Sequence, residues 1–256
     1  MFKIALDAGH GLFTPGKRTL ASLDFKETRE WVLNARICDR VERLLKKYDG
    51  YSIIRVDDIT GNTDVSLAER VRLANEAGVN FYLSVHHNAG VNGGMGGGII
   101  SVAHTNATTK SLEYQKILYD ELIATTELSG NRSTPLVRQN LYILRKTKMP
   151  AVLVECGFMD STTDVPHILS EEFADKAAEG IVNALVRIGN LTKKEEIKMS
   201  KFTDIEGNFA EKSIKELYQM GVVNGVTETE FAPEKCTTRA EMAVIARNII
   251  KYITGE

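Results

Sequence analysis

The 256-residue chain lacks what would make it a disulfide scaffold, a membrane protein or a polyelectrolyte. Its three cysteines, Cys38, Cys156 and Cys236, are odd in number and far apart, which excludes a disulfide framework and a thiolate metal site. A reducing cytoplasm is therefore the expected place of synthesis. No uninterrupted apolar run reaches about 18 residues, so no spanning helix is expected. The opening MFKIALDAGHG passes from a short apolar stretch into a glycine turn, without the longer apolar region and small-residue cleavage site of a signal peptide. Basic excess is missing too. The formal charge is −2, and Lys201 to Glu256 carries two more acidic than basic side chains. Neither nucleic acid nor a membrane surface is an expected partner.

What remains is apolar enough, at 43 %, to build a core. Short apolar runs alternate with helical patterns: FKIAL, a helix from about Glu30 to Tyr48, SIIRV, a helix near Ser66 to Ala77, then FYLSV. The rhythm continues through GGIISVAH, an amphipathic stretch from Lys110 to Thr126, PAVLVE and a helix from Glu171 to Ile188. This is the βαβ order of an α/β fold, a sheet flanked by helices. NLTKKEEIKMS, residues 190–200, then reads as a charged linker between a first domain, 1–189, and a second, 201–256. In that small unit, Ser213 to Met220 and Arg239 to Tyr252 read as helices joined by a turn-rich stretch.

Three apolar strands end in chemistry. His10 follows KIAL within LDAGHG, His86 and His87 follow FYLSV, and Glu155 follows PAVLV. Strand ends are where sheet-based enzymes place reacting groups. A fourth element, a carboxylate at the start of the first long helix, is either Glu27 or Glu30. Helix register favours Glu30, because the apolar stripe through Ile37, Val41 and Leu44 lets the first turn present it to the sheet edge. Two imidazoles and one carboxylate with an open fourth position are a known set for catalytic zinc. The same set serves non-haem iron oxygenases, but that chemistry would leave Glu155 without a role. A carboxylate that does not ligate can move the proton of an attacking water.

These residues resemble the zinc-dependent N-acetylmuramoyl-L-alanine amidases of bacterial autolysins and phage endolysins, across roughly Met1 to Gly189. LDAGHG, ETREWVLNARICDRVERLL, SLAERVRLANEAGVNFYLSVHHNAG and NLYILRKTKMPAVLVECGFMDSTTD carry the likeness, in that order. The resemblance implies a twisted mixed sheet of about six strands, and one zinc per catalytic domain held by His10, Glu30 and His86. It makes Glu155 the general base and His86, rather than His87, the ligand. Arg145 is expected at a strand end as a contact to substrate or oxyanion, and Asn88 as a loop or substrate contact. Arg70 reads as structural, and His104 and His167 as surface residues.

The tail resembles a single, mainly helical S-layer homology module through FTDI, GVVNG, EFAP and TTRAE, with Phe209 where that family usually has Trp. The likeness implies a grip on an anionic secondary wall polymer, with Arg239 as the best contact. Such modules usually occur in threes, so self-association through the tail is expected. Lys-Lys-Glu-Glu-Ile-Lys before Met199 is encodable as a ribosome-binding stretch, so free modules initiated at Met199 are a further expected partner. The expected function is cleavage of peptidoglycan at the amide between N-acetylmuramic acid and L-alanine, by an endolysin that acts on Gram-positive walls after release at lysis. Rival readings are a non-catalytic wall-binding protein and a metal-dependent peptidase of the stem peptide.

Overall fold

The computed structural model divides into two compact units, Met1–Lys194 and Glu195–Glu256, and describes residues 1–194 and 202–254. Residues 195–200 of the expected linker, Met199 among them, lie outside the described residues. In the first unit the elements run β1 (Phe2–Ala8), α1 (Glu30–Leu45), β2 (Tyr48–Asp49), β3 (Tyr51–Arg55), α2 (Leu67–Ala77), β4 (Phe81–Asn88) and β5 (Ile99–Ala103). They continue with α3 (Thr109–Thr126), β6 (Leu136–Arg138), α4 (Tyr142–Lys146), β7 (Ala151–Phe158), α5 (Val165–Ile168), α6 (Glu171–Gly189) and β8 (Thr192–Lys193).

Six strands form one mixed sheet in the order β3-β1-β4-β7-β5-β6. The first four are parallel, β5 runs antiparallel to β7, and β6 follows β5. The C-terminal ends of β1, β4 and β7 therefore lie side by side, which is what assembles the site. Strand alternation sorts the core into two layers. Ile4, Leu6, Phe81, Leu83, Val85, Val152 and Val154 pack with residues of α1, α3 and α6. Ala5, Tyr82, Ala151 and Leu153 face Ala74 of α2 and Ile143 and Leu144 of α4.

Three local expectations need correction. His86 and Glu155 do not follow their strands: β4 runs on to Asn88 and β7 to Phe158, because backbone pairing continues after the apolar run stops. Arg145 sits on the short helix α4, not at a strand end. The first unit also extends beyond Gly189. Leu191 is buried in the core, and β8 pairs antiparallel with β2, so residues up to Lys194 belong to this unit rather than to a linker.

The second unit contains α7 (Glu211–Gln219) and α8 (Arg239–Thr254), with a small core of Phe202, Ile205 and Ile214. Among the described residues, no helix is long and apolar enough to cross a membrane. All three cysteines are free; Cys38 and Cys156 are buried and Cys236 is exposed.

Candidate metal and catalytic site

The site begins with a strand that carries a charge where an apolar residue is expected. Asp7, fully buried on β1, accepts hydrogen bonds from Tyr82 Oη at 2.9 Å and Ser84 Oγ at 2.7 Å, and pairs with Arg70 Nη1. Arg70, itself buried, also donates to the carbonyls of Ala8 at 2.9 Å, His10 at 2.8 Å and Val65 at 2.7 Å. A guanidinium with its donors fixed in a planar fork holds several acceptors at once. Here it clamps the turn that follows β1. His10 on that turn has φ 67°, a left-handed conformation uncommon for a side-chain-bearing residue. Gly9 is required: a Cβ there would lie 2.0 Å from the His86 ring.

Glu30 is the first residue of α1, where a carboxylate is favoured by the helix dipole, and it is 1 % exposed. Its Oε1 lies 3.0 Å from His86 Nδ1 and its Oε2 lies 3.4 Å from His10 Nε2. The three side chains offer ligand atoms all within 4.8 Å of one another. Burial opposes ionisation of Glu30, but hydrogen bonds and charge from the two histidines outweigh it and hold the carboxyl well below its ordinary range. Glu27 is elsewhere, half-exposed and 3.3 Å from Arg18 Nε.

His86 and His87 are adjacent on β4, and alternation sends them to opposite faces. His86 turns to Glu30. His87 turns toward α1, where its Nδ1 lies 2.8 Å from Asn34 Oδ1, while Asn34 Nδ2 donates to the carbonyl of Gly9 at 3.1 Å. Burial pushes the His87 imidazole down to about 3, so it stays neutral and ties α1 to the His10 turn.

Glu155 on β7 is the direct register partner of His86 on β4. Burial, with a contribution from Glu30 and opposed by His86 and Lys17, pushes its carboxyl up to about 7. Oε2 of Glu155 is buried without a hydrogen-bond partner, and Oε2 of Glu30 has only the long contact of 3.4 Å with His10 and one of 3.6 Å with Lys17 Nζ. A buried oxygen short of partners is costly, and a cation is one group that would satisfy that of Glu30. Two imidazole nitrogens and one carboxylate oxygen, all within 4.8 Å of one another, are the donor types that zinc takes. The donor set thus fits a single metal ion.

The other expected residues are dispersed. Asn88, at the end of β4, accepts from the Ala89 amide at 2.8 Å. Arg145 Nη1 donates to Asn140 Oδ1 at 2.8 Å and its guanidinium lies over the Tyr142 ring. Arg239 is the exposed first residue of α8 in the second unit. His104 is half-buried beside Asn140, and His167 is exposed. Sequence reasoning missed Asn34, the Asp7 partnership of Arg70, and Lys17, whose Nζ lies 3.6 Å from Glu30 Oε2. A carboxylate inside KIALDA was the available signal for the second of these; the other two had none.

Comparison with known proteins bears on each of the two units. The profile of the family described as N-acetylmuramoyl-L-alanine amidase matches residues 4–187, and that of the S-layer homology domain matches residues 201–243. The chain is 33 % identical to the N-acetylmuramoyl-L-alanine amidase CwlM of Bacillus licheniformis over 193 residues, 75 % of this chain and 71 % of the relative. It is 31 % identical to the endolysin of Bacillus phage SPP1 over 74 % of this chain and 66 % of that protein. The crystal structure of an N-acetylmuramoyl-L-alanine amidase from Clostridium difficile 630 superposes with a TM-score of 0.65 at 28 % identity, covering 73 % of this chain and 95 % of that one. By this match across most of the first unit, the chain belongs to the N-acetylmuramoyl-L-alanine amidase family.

Proposed function

We propose that the first unit hydrolyses the amide joining N-acetylmuramic acid to L-alanine in peptidoglycan, with one zinc ion held by His10, Glu30 and His86 and with Glu155 as general base. The observation that carries this is the convergence of three side chains able to ligate, from the turn after β1, from α1 and from β4, with Glu155 of β7 as the register partner of His86 and its Oε2 buried without a hydrogen bond. When bound, the ion supplies Lewis-acid polarisation of the carbonyl and acidifies water. Glu155, with its proton affinity raised to about 7, is suited to take a proton and pass it on to the departing nitrogen. Asn34, His87 and Arg70 hold the ligand-bearing segments in register. Asn88 and Arg145 serve as contacts to the rest of the substrate.

The second unit holds the enzyme on an anionic wall polymer, with Arg239 as a contact, and self-associates through α8. Support for the latter is that α8 buries none of its residues among the described ones and exposes Met242, Val244, Ile250 and Ile253. The endolysin relative supports a lytic role at the wall after release, and free modules initiated at Met199 are a further assembly partner. Mass spectrometry of muropeptides tests the chemistry. Intact stem peptides with a free L-alanine amine are expected, lost with chelator and regained with zinc. Cleavage within the stem peptide would replace this reading with a peptidase, and no cleavage would leave a wall-binding protein.

A further inference from the structure

The loop from His10 to Glu30 is tied down at several points, and what it delivers is an amine. Gly11 N donates to Thr14 Oγ1 at 2.9 Å, and Thr14 Oγ1 donates to Asp64 at 2.7 Å. Thr14-Pro15-Gly16-Lys17 has proline second and a glycine of φ 74° third, the signature of a type II turn, closed by Lys17 N to Thr14 O at 3.4 Å. Glu30 N then donates to Lys17 O at 3.0 Å, and residues 18 and 29 form a β-bridge. The backbone that carries Lys17 is thereby fastened to the first residue of the helix that carries Glu30.

Lys17 Nζ is 3.6 Å from Glu30 Oε2, beyond ordinary hydrogen-bond length, and its side chain is 44 % exposed. An ammonium has three donors on a flexible stem, so a second acceptor is within its reach. Arg70, the arginine that clamps the His10 turn, is committed to Asp7 and three carbonyls. Among the described residues, Lys17 is the one lysine or arginine paired with Glu30, and its charge also acts on Glu155.

We propose that Lys17 is a catalytic residue: its ammonium contacts the scissile carbonyl oxygen of the substrate and meets the negative charge that develops there. This rests on the amidase reading above. In that reaction, water oxygen bonds to the carbonyl carbon while its proton passes to Glu155, and the C=O π pair moves onto the carbonyl oxygen. On collapse the pair returns, the C–N bond breaks, and the nitrogen takes the proton from Glu155; the carboxyl product loses its remaining proton to solvent. Negative charge on oxygen exists only between these events, so a cation placed there accelerates the step rather than tightening substrate binding.

Lys17→Met and Lys17→Arg in the full-length zinc-loaded protein test this on a soluble disaccharide-pentapeptide, with amine release followed and zinc content measured by mass spectrometry. Lys17→Met is expected to lower kcat about 100-fold, at the low end for loss of one oxyanion donor, with KM and zinc content unchanged. Lys17→Arg, which keeps the charge, is expected to recover most of that loss. A Lys17→Met protein with the parent's kcat, a rise in KM alone, or a kcat loss that tracks lost zinc would overturn the proposal. Glu155→Gln, run beside them, separates the two claims: if it remains active, the amidase mechanism itself fails, whatever Lys17 does.

Discussion

Two helices of similar length divide the molecule. α6, with 19 residues, buries Phe173, Ala177, Ile181, Val182 and Leu185, among others, against α1, α3 and the sheet. α8, with 16 residues, carries Met242, Val244, Ile249, Ile250, Tyr252 and Ile253 and leaves each between 41 % and 76 % exposed. Both have apolar faces; among the described residues, that of α6 is covered and that of α8 is mostly exposed. A helix draws most of its stability from packing rather than propensity. The first unit covers its apolar faces with its own elements, whereas the second has only the small core of Phe202, Ile205 and Ile214.

That contrast can be broken by mutation. Glu155→Gln has the largest expected effect: kcat for amine release falls by about 10²–10⁴, the span for a general base, while sedimentation with cell walls is unchanged. Retained hydrolysis would show that the first unit's chemistry lies elsewhere. Arg70→Met strands the buried Asp7 carboxylate and should cost about 3–5 kcal/mol, read as an earlier first-unit transition in calorimetry with the second-unit signal unmoved. Ile250→Asp is expected to weaken self-association about tenfold or more, since burying one isoleucine is worth roughly 1.5–3 kcal/mol. Analytical ultracentrifugation reads this, and an unchanged assembly would remove α8 from the interface.

The smallest effect is pH-dependent and belongs to the first unit. Asp24 accepts from Thr19 Oγ1 and from the amides of Lys26 and Thr28. Burial works against its charge, but these hydrogen bonds prevail and lower its pKa from 3.8 to about 2. A depressed carboxyl stabilises the fold above its ordinary value and loses that contribution as pH falls through the folded one. Asp24→Asn should thus cost about 1 kcal/mol near neutrality, and the gap from the parent should close between 3.8 and about 2. Urea midpoints across that range are the measurement.

Periodicity made most of this architecture readable. The helix that buries Phe173, Ala177, Ile181 and Leu185 is visible in their spacing, as are the apolar runs of the central strands. Where the strands stop was not visible, because pairing through His86 and Glu155 depends on backbone amides and carbonyls that side-chain polarity does not report. LYILRK is too short for its period to separate helix from strand, which misplaced Arg145. A two-residue strand such as β8 has no period at all. At the site, a histidine or glutamate just after an apolar run drew attention to His10, His86 and Glu155, and helix register favoured Glu30. Lys17 drew none, because its meaning comes from a turn that folds it back onto a residue thirteen positions later.

The β2–β8 ribbon has a mechanical consequence. An enzyme held to a wall by its tail feels tension where the chain leaves the first unit, at Lys194, whose amide is bonded to the Lys47 carbonyl at 2.8 Å. Load applied there falls first on that bond and on the Tyr48–Lys193 and Asp49–Thr192 pairs. Beyond these contacts, the core-buried Leu191 is the next attachment before α6 is pulled. The ribbon would yield as a fuse, sparing the sheet that holds His86 and Glu155 in register.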